Sequence, residues 1–179
     1  MEDTNIQTIY QKTIAFAAEY HGQQKMPDGL PYIVHLSNVA MEVFMAHKQK
    51  PDFNLKLAIQ LALLHDVLED TALSFKALKA DFGNVVAEGV LALTKDSTLD
   101  KKDQMNDSLS RILDLGREVA IVKLCHRITN LQKPPIKWDN AKIKKYHLQA
   151  LKIADRLQGK NEYLDKRIQE KILNYYTYF

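Results

Sequence analysis

The sequence predicts an all-α protein, and three observations support this fold class. Apolar residues recur at three- and four-residue steps along most of the chain, runs of strand type that alternate apolar and polar residues are absent, and prolines and glycines gather at a few points. A hydrophobic share of 46% and a charged share of 26% are typical of globular proteins. Because 179 residues are enough to bury one sizeable core, we expect a compact multi-helix domain over residues 1–179.

The first half of the chain predicts three long helices. The first covers about residues 5–21, where apolar side chains follow helical spacing. A loop follows at residues 22–31, which hold two prolines and two glycines. The second helix begins near His35 and ends at about His47, and the third covers Leu55 to about Asp70. The apolar middle of this third helix indicates a central, buried position.

The second half of the chain predicts shorter helices at about residues 74–81 and 84–94, followed by a polar loop at residues 95–102. Further helices are predicted at about residues 103–115, 117–132, 141–157 and 161–175. Pro134 and Pro135 end the third-last helix, because proline cannot continue the hydrogen-bond ladder and disfavours helix at the residue before it. Neither a repeat nor a long linker divides the chain.

Composition and charge exclude several classes of protein. The net charge is only +3 and aromatic residues do not interleave with basic ones, so we expect no nucleic-acid binding. The acidic, polar start lacks a secretory signal, and apolar runs such as 61–64 are too short to span a membrane. With Cys125 as the single cysteine, no disulfide forms within the chain, and we expect a cytoplasmic protein. Lysines concentrate near the end of the chain and form either a solvated helix face or a rim that attracts phosphate. They are Lys133, Lys137, Lys142, Lys144 and Lys145. The sequence does not indicate the oligomeric state.

The segment His65-Asp66-Val67-Leu68-Glu69-Asp70-Thr71 carries the strongest chemical pattern. Its histidine and three acidic residues follow an apolar run, and residues three and four apart share a helix face. Such an acidic cluster repels itself unless a cation, water or substrate compensates the charge. Glu69 and Asp70 alone fit an ordinary helix end in solvent equally well. His65 and Asp66 do not, because burying an unpaired charge is costly.

Four motifs, in order and at family spacing, resemble the HD superfamily of metal-dependent phosphohydrolases. They are Pro31-Tyr32-Ile33-Val34-His35, the segment 65–71, Leu93-Thr94-Lys95, and the stretch 122–131, Val-Lys-Leu-Cys-His-Arg-Ile-Thr-Asn-Leu. Within that superfamily the chain looks like the stand-alone small hydrolases of the alarmones guanosine tetra- and pentaphosphate. The resemblance covers roughly residues 9–175.

This resemblance implies a metal centre and a phosphohydrolase activity. Family members hold Mn²⁺ with two histidines and two aspartates, and His35, His65 and Asp66 match those ligand positions. Glu69 and Asp70 match the acidic pair that positions or activates the attacking water. The implied chemistry is coherent, because a divalent ion lowers the pKa of bound water and nearby carboxylates can take its proton.

The substrate contacts that the resemblance implies are Lys95, Lys123 and Asn130. In the first loop the match is incomplete, since family members carry a basic pair there, with an arginine that stacks on guanine. Here Lys25 is followed by Met26, which can pack against a ring but supplies no cation–π attraction. Lys25 is either a phosphate contact or a solvated loop lysine, and guanine specificity is open.

A second departure concerns the last ligand, where the family has an aspartate and this chain has His126. His126 either ligates the metal, lies beside a weakened site, or has only structural contacts. Ligation would give three histidines and one carboxylate, which shifts preference from Mn²⁺ toward Zn²⁺, Fe²⁺ or Ni²⁺. Asp155 lies in a similar motif, but about 30 residues too late. We interpret it as a surface acid.

Three functions follow from these patterns. The leading prediction is an enzyme that removes the 3′-pyrophosphate from guanosine-3′,5′-bis(diphosphate). The alternatives are an HD phosphohydrolase that acts on another nucleotide, and a catalytically impaired nucleotide-binding protein that has lost its fourth aspartate. In each case the partner is a small-molecule nucleotide rather than a nucleic acid or a membrane.

Overall fold

The computed structural model describes residues 5–179, and the all-α prediction is confirmed over that range. Its only β contact there is an isolated bridge between Lys25 and Pro31. The helices are α1 Ile6–His21, α2 Ile33–Gln49, α3 Leu55–Leu64, α4 Val67–Asp70, α5 Phe75–Phe82, α6 Asn84–Leu93, α7 Gln104–Leu113, α8 Arg117–Asn130, α9 Asn140–Arg156 and α10 Glu162–Tyr175, followed by a short 3₁₀ helix, Tyr176–Tyr178. None of these helices is both long enough and apolar enough to cross a membrane.

Short polar side chains set the starts of several helices. Asn5, Asn54, Ser74, Asp139 and Asn161 each accept a hydrogen bond from a backbone N–H in the first turn of the helix that follows. Each such N-cap stabilises its helix by about 1 kcal/mol. These caps explain why the observed starts lie close to the predicted ones.

Helix α3 lies at the centre of the fold, as predicted. It packs against α1, α2, α6 and α8, and most of its side chains are fully buried. The approach of α6 is close, since a Cβ added at Gly89 would lie 2.6 Å from Leu61 Cδ2. Helices α2, α3 and α8 also pack against one another in pairs. This arrangement brings together His35 on α2, His65 after α3 and His126 on α8.

The prediction of one continuous helix over residues 55–70 is wrong. Helix α3 ends at Leu64 and α4 begins at Val67. The His65 ring donates from Nδ1 to the Ala62 carbonyl at 2.8 Å, and Asp66 adopts φ −106° and ψ −1°. In an uninterrupted helix, neighbouring side chains diverge by about 100°. The break instead lets His65 and Asp66 meet, with Nε2 and Oδ2 2.9 Å apart.

Candidate metal centre

Four side chains from three parts of the fold meet in one cluster. Each of His35, His65, Asp66 and His126 offers a ligand atom, and these atoms all lie within 4.8 Å of one another. Nε2 of His65 is 3.3 Å from Nε2 of His35 and 2.9 Å from Oδ2 of Asp66. The ring of His126 lies 4.5 Å from that of His65 and 5.2 Å from that of His35, measured between centroids. We call this group the His/Asp cluster.

The tautomer of His65 suits a metal ligand. Because Nδ1 donates to the Ala62 carbonyl, Nε2 is left to face the cluster. A carbonyl that fixes the second ring nitrogen is the usual support of a metal-bound histidine. Two imidazole nitrogens and a carboxylate oxygen at these short distances need a shared proton or a cation between them.

The protonation states of His35, His126 and Asp66 also fit a divalent cation. Burial, with the neighbouring charge of His65, lowers the pKa of His35 to about 4 and that of His126 well below its ordinary value. Burial alone would raise the pKa of Asp66, but His65 and the Tyr32 hydroxyl hold it well below its usual range. Neutral imidazoles and an ionised carboxylate are the forms that bind metal. His65 differs, because Asp66 outweighs the effect of burial and raises its pKa, so an incoming ion displaces a proton from His65. The donor set therefore fits a divalent ion.

Tyr32 supports the cluster, although the sequence did not single it out. Its hydroxyl donates to Oδ2 of Asp66, and its ring stacks on His21 with centroids 4.8 Å apart. Burial, with the charge of Asp66, raises the pKa of Tyr32 above its ordinary value, so the hydroxyl keeps its proton. Its place in the motif 31–35, three residues before His35, is the sequence feature that could have indicated this role.

We expect Tyr32→Phe to weaken metal binding about tenfold, since hydrogen-bond partners of metal ligands typically contribute 10–100-fold in affinity. A competition titration with a chromophoric chelator measures this change. Tyr10→Phe is the matched control, because the Tyr10 hydroxyl contacts Ser37 Oγ at 3.1 Å, outside the His/Asp cluster. Equal metal affinity in both variants would contradict the supporting role of Tyr32.

The acidic pair, Glu69 and Asp70, is held by neighbouring side chains. Glu69 accepts from the backbone N–H of Lys95 at 3.2 Å and also pairs with the Lys95 ammonium group. Asp70 accepts from Nε2 of Gln24 at 2.9 Å. The structure thus brings Lys95 to the acidic pair, which is more exposed than the His/Asp cluster. Like Tyr32, Gln24 was not predicted from the sequence as a site residue.

Two further substrate-contact candidates lie on α8 with His126. Burial, with the charges of Arg127 and Lys95, lowers the pKa of Lys123 to about 8. Asn130 lies next to Tyr146 on α9, whose ring centroid lies 4.2 Å from the Arg127 guanidinium carbon. Tyr146 was another residue that the sequence did not indicate. Together these groups form a polar, positively charged flank of the cluster.

Two residues lie apart from the cluster. Lys25 is exposed on the first loop, where its backbone bridges to Pro31. Asp155 is exposed on α9, which agrees with its interpretation as a surface acid. The structure therefore brings together the three histidines and Asp66, but not Lys25.

Comparisons with known proteins give the family. The HD domain family matches residues 13–161. Guanosine-3′,5′-bis(diphosphate) 3′-pyrophosphohydrolase MESH1 of Danio rerio is 31% identical over 169 residues, which cover 90% of this chain and 91% of that protein. Guanosine-3′,5′-bis(diphosphate) 3′-pyrophosphohydrolase of Aquifex aeolicus (strain VF5) is 34% identical over 128 residues, 68% of this chain and 17% of that longer protein.

A solved structure supports the same assignment. A metazoan ortholog of SpoT, described as hydrolysing ppGpp, superposes with a TM-score of 0.80 at 26% identity and covers 96% of this chain and 97% of that one. The resemblance found in the sequence is thus confirmed. This chain belongs to the HD domain family, and its likeness to the MESH1 proteins extends over nearly its whole length.

Proposed function

We propose that the protein is a divalent-metal-dependent hydrolase that removes the 3′-pyrophosphate from guanosine-3′,5′-bis(diphosphate). The observation that carries this proposal is the His/Asp cluster, whose three imidazoles and one carboxylate converge on one point and fit a divalent ion, with the acidic pair following Asp66 on α4. Relatives that bear this activity in their names match the chain over about nine-tenths of its length. We also propose one domain over residues 1–179 and a cytoplasmic location.

In this proposal His35, His65, Asp66 and His126 hold the ion. Bound there, a divalent ion lowers the pKa of a bound water and offsets charge on phosphate oxygens. The oxygen of the water forms a bond to the phosphorus next to the 3′ oxygen, and the bond between that phosphorus and the 3′ oxygen breaks. The departing 3′ oxygen ends with a proton, so the products are guanosine diphosphate and pyrophosphate.

The remaining polar residues have distinct proposed tasks. Glu69 and Asp70 orient the water and accept its proton, because they are the carboxylates next to the cluster. Lys95 and Lys123 attract the phosphate groups, and Asn130 contacts the nucleotide through the flank that it shares with Tyr146. A phosphate that reaches Lys95 competes with Glu69, which pairs with the same ammonium group.

The ligand set bears on the identity of the metal. Manganese is the ion that the resemblance implies, and carboxylate-rich sites suit it. Three imidazoles and a single carboxylate, as in this cluster, suit Zn²⁺, Fe²⁺ or Ni²⁺ better. With three histidines and one carboxylate, the net charge of the metal-bound site is also one unit more positive than with two histidines and two carboxylates. We therefore propose that His126 moves the preference away from Mn²⁺.

A second candidate function is a phosphohydrolase that acts on a nucleotide with another base. The observation that favours it is Met26, half-buried in the first loop where the family has a basic residue. A methionine contacts any base ring through dispersion and sulfur–aromatic attraction, without the charge that favours guanine. Lys25 remains a proposed phosphate contact from the same loop.

One assay separates these functions. Purified protein, loaded in turn with Mn²⁺, Zn²⁺, Fe²⁺ or Ni²⁺, is incubated with guanosine tetraphosphate and a small panel of phosphorylated nucleotides. We expect metal-dependent release of pyrophosphate and guanosine diphosphate, abolished by a chelator. Orthophosphate released from another nucleotide would favour the second candidate. If the protein binds none of these metals and binds a nucleotide without hydrolysing it, it is instead a nucleotide-binding protein.

A further inference from the structure

The Asp70 carboxylate lies at the end of α4, a helix of only four residues, and is exposed to solvent. An exposed side chain on so short a helix exchanges between rotamers unless a partner holds it. Asp70 has such a partner in Gln24, whose Nε2 donates to Oδ2 at 2.9 Å. The two residues are 46 positions apart in the chain, so the contact links the first loop to the acidic pair.

The Gln24 amide also contacts His21. Its Oε1 lies 2.7 Å from Nδ1 of the His21 ring. Because an ionised carboxylate only accepts hydrogen bonds, the amide nitrogen must face Asp70 and the amide oxygen must face His21. Nδ1 of His21 therefore carries the hydrogen. In agreement, Nε2 of His21 is buried without a hydrogen-bond partner among residues 5–179.

The backbone around Gln24 is fixed from both sides. Its N–H donates to the His21 carbonyl at 2.9 Å, and its own carbonyl accepts from the Tyr32 N–H at 3.0 Å. His21 is buried and stacks on Tyr32, whose hydroxyl donates to Asp66. A continuous path of contacts thus runs from Asp66 through Tyr32, His21 and Gln24 to Asp70.

We propose that Gln24 is a positioning residue, whose amide couples His21 to Asp70 and so fixes the Asp70 carboxylate relative to the His/Asp cluster. This inference rests on the proposed function, in which Asp70 orients the attacking water. Groups that orient a reacting water must be held within a fraction of an ångström, and a misplacement of about 1 Å can cost on the order of a hundredfold in rate.

We expect Gln24→Ala to lower kcat about tenfold and to change KM by less than about twofold, because the residue orients a carboxylate rather than binding substrate. Gln24→Glu should lower kcat further, since it places a second carboxylate against Asp70. Gln23→Ala is the matched control, because Gln23 is also a glutamine, stands immediately before Gln24 in the chain and is exposed. It should keep the wild-type kcat.

A second measurement does not depend on activity or on metal. Nitrogen-15 NMR of the histidine rings distinguishes the two neutral tautomers. In the metal-free wild type we expect His21 in the Nδ1–H form alone, and we expect the Nε2–H form to become populated in Gln24→Ala but not in Gln23→Ala. A changed melting temperature without this change of tautomer would mean that the amide does not hold His21, and would contradict the proposal.

The outcomes separate this inference from the proposed function. If the wild type hydrolyses a nucleotide and Gln24→Ala keeps its kcat within twofold, the positioning role is wrong and the function stands. If His21 shows the Nε2–H form in the wild type, the amide link is wrong whatever the activity. If the wild type hydrolyses nothing with any metal, the proposed function fails and the positioning role fails with it.

Discussion

We expect His65→Ala to abolish metal binding and to reduce hydrolysis by at least about a thousandfold. His65 lies between two other members of the cluster, with Nε2 2.9 Å from Asp66 Oδ2 and 3.3 Å from His35 Nε2. A bound divalent ion contributes several kcal/mol to the transition state, and each 1.36 kcal/mol is a factor of ten in rate. Metal content after dialysis, followed by the pyrophosphate-release rate, measures both effects.

Controls are needed because His65 is buried and its Nδ1 donates to the Ala62 carbonyl. His65→Asn keeps a polar side chain there and should show the same loss of metal with less destabilisation. His47→Ala is the matched histidine control, since His47 is half-buried on α2 and its ring packs against Phe53, with the ring centroids 5.1 Å apart. If folded His65→Ala retained one metal per chain and a rate within tenfold of wild type, the proposed metal centre would be wrong.

The helical fold could be predicted because its helices are amphipathic and because local residues mark where they begin and end. Apolar spacing indicated the buried face of α8, and Pro134 with Pro135 indicated the loop beyond it. The break between α3 and α4 could not be predicted in this way. It depends on the His65 ring bonding to the Ala62 carbonyl, a side-chain contact that competes with the helix and leaves no mark in the periodicity.

The candidate site was only partly visible in the sequence, for a similar reason. His65 and Asp66 stood out because polar groups in an apolar run are costly unless something compensates them. Tyr32 and Gln24 did not, because their partners Asp66 and Asp70 are 34 and 46 residues away. Such contacts exist only once the first loop has packed against the break after α3. Lys25, whose motif position suggested a phosphate contact, is exposed and lies apart from the cluster, so that contact stays a prediction.

We expect His126→Asp to shift metal preference toward Mn²⁺ without a large gain in the best rate. The His126 ring lies within the cluster, 4.5 Å from the His65 ring between centroids, and burial keeps its pKa well below the ordinary value. Replacing this neutral imidazole with a carboxylate gives two histidines and two carboxylates, and removes one unit of net charge from the loaded site. Oxygen ligands suit Mn²⁺, whereas imidazoles suit Zn²⁺, Fe²⁺ and Ni²⁺.

Competition between metals for the wild type and the variant measures this shift, and we expect the ratio of Mn²⁺ to Zn²⁺ affinity to rise at least about tenfold, a difference of about 1.4 kcal/mol. Because the aspartate side chain is shorter than that of histidine, the variant His126→Glu places the same negative charge on a longer side chain. His147→Asp is the control, since His147 lies on α9 against Tyr176 and Phe179.

The size and direction of the response distinguish the three roles of His126. A changed preference at a similar best rate means that the imidazole is a ligand to which this chain has adapted. A large rise in the Mn²⁺-dependent rate means instead that the histidine weakens a site that otherwise follows the family pattern. If neither preference nor rate changes in the aspartate and glutamate variants, His126 contacts the cluster without ligating, and the ion is held by His35, His65 and Asp66 alone.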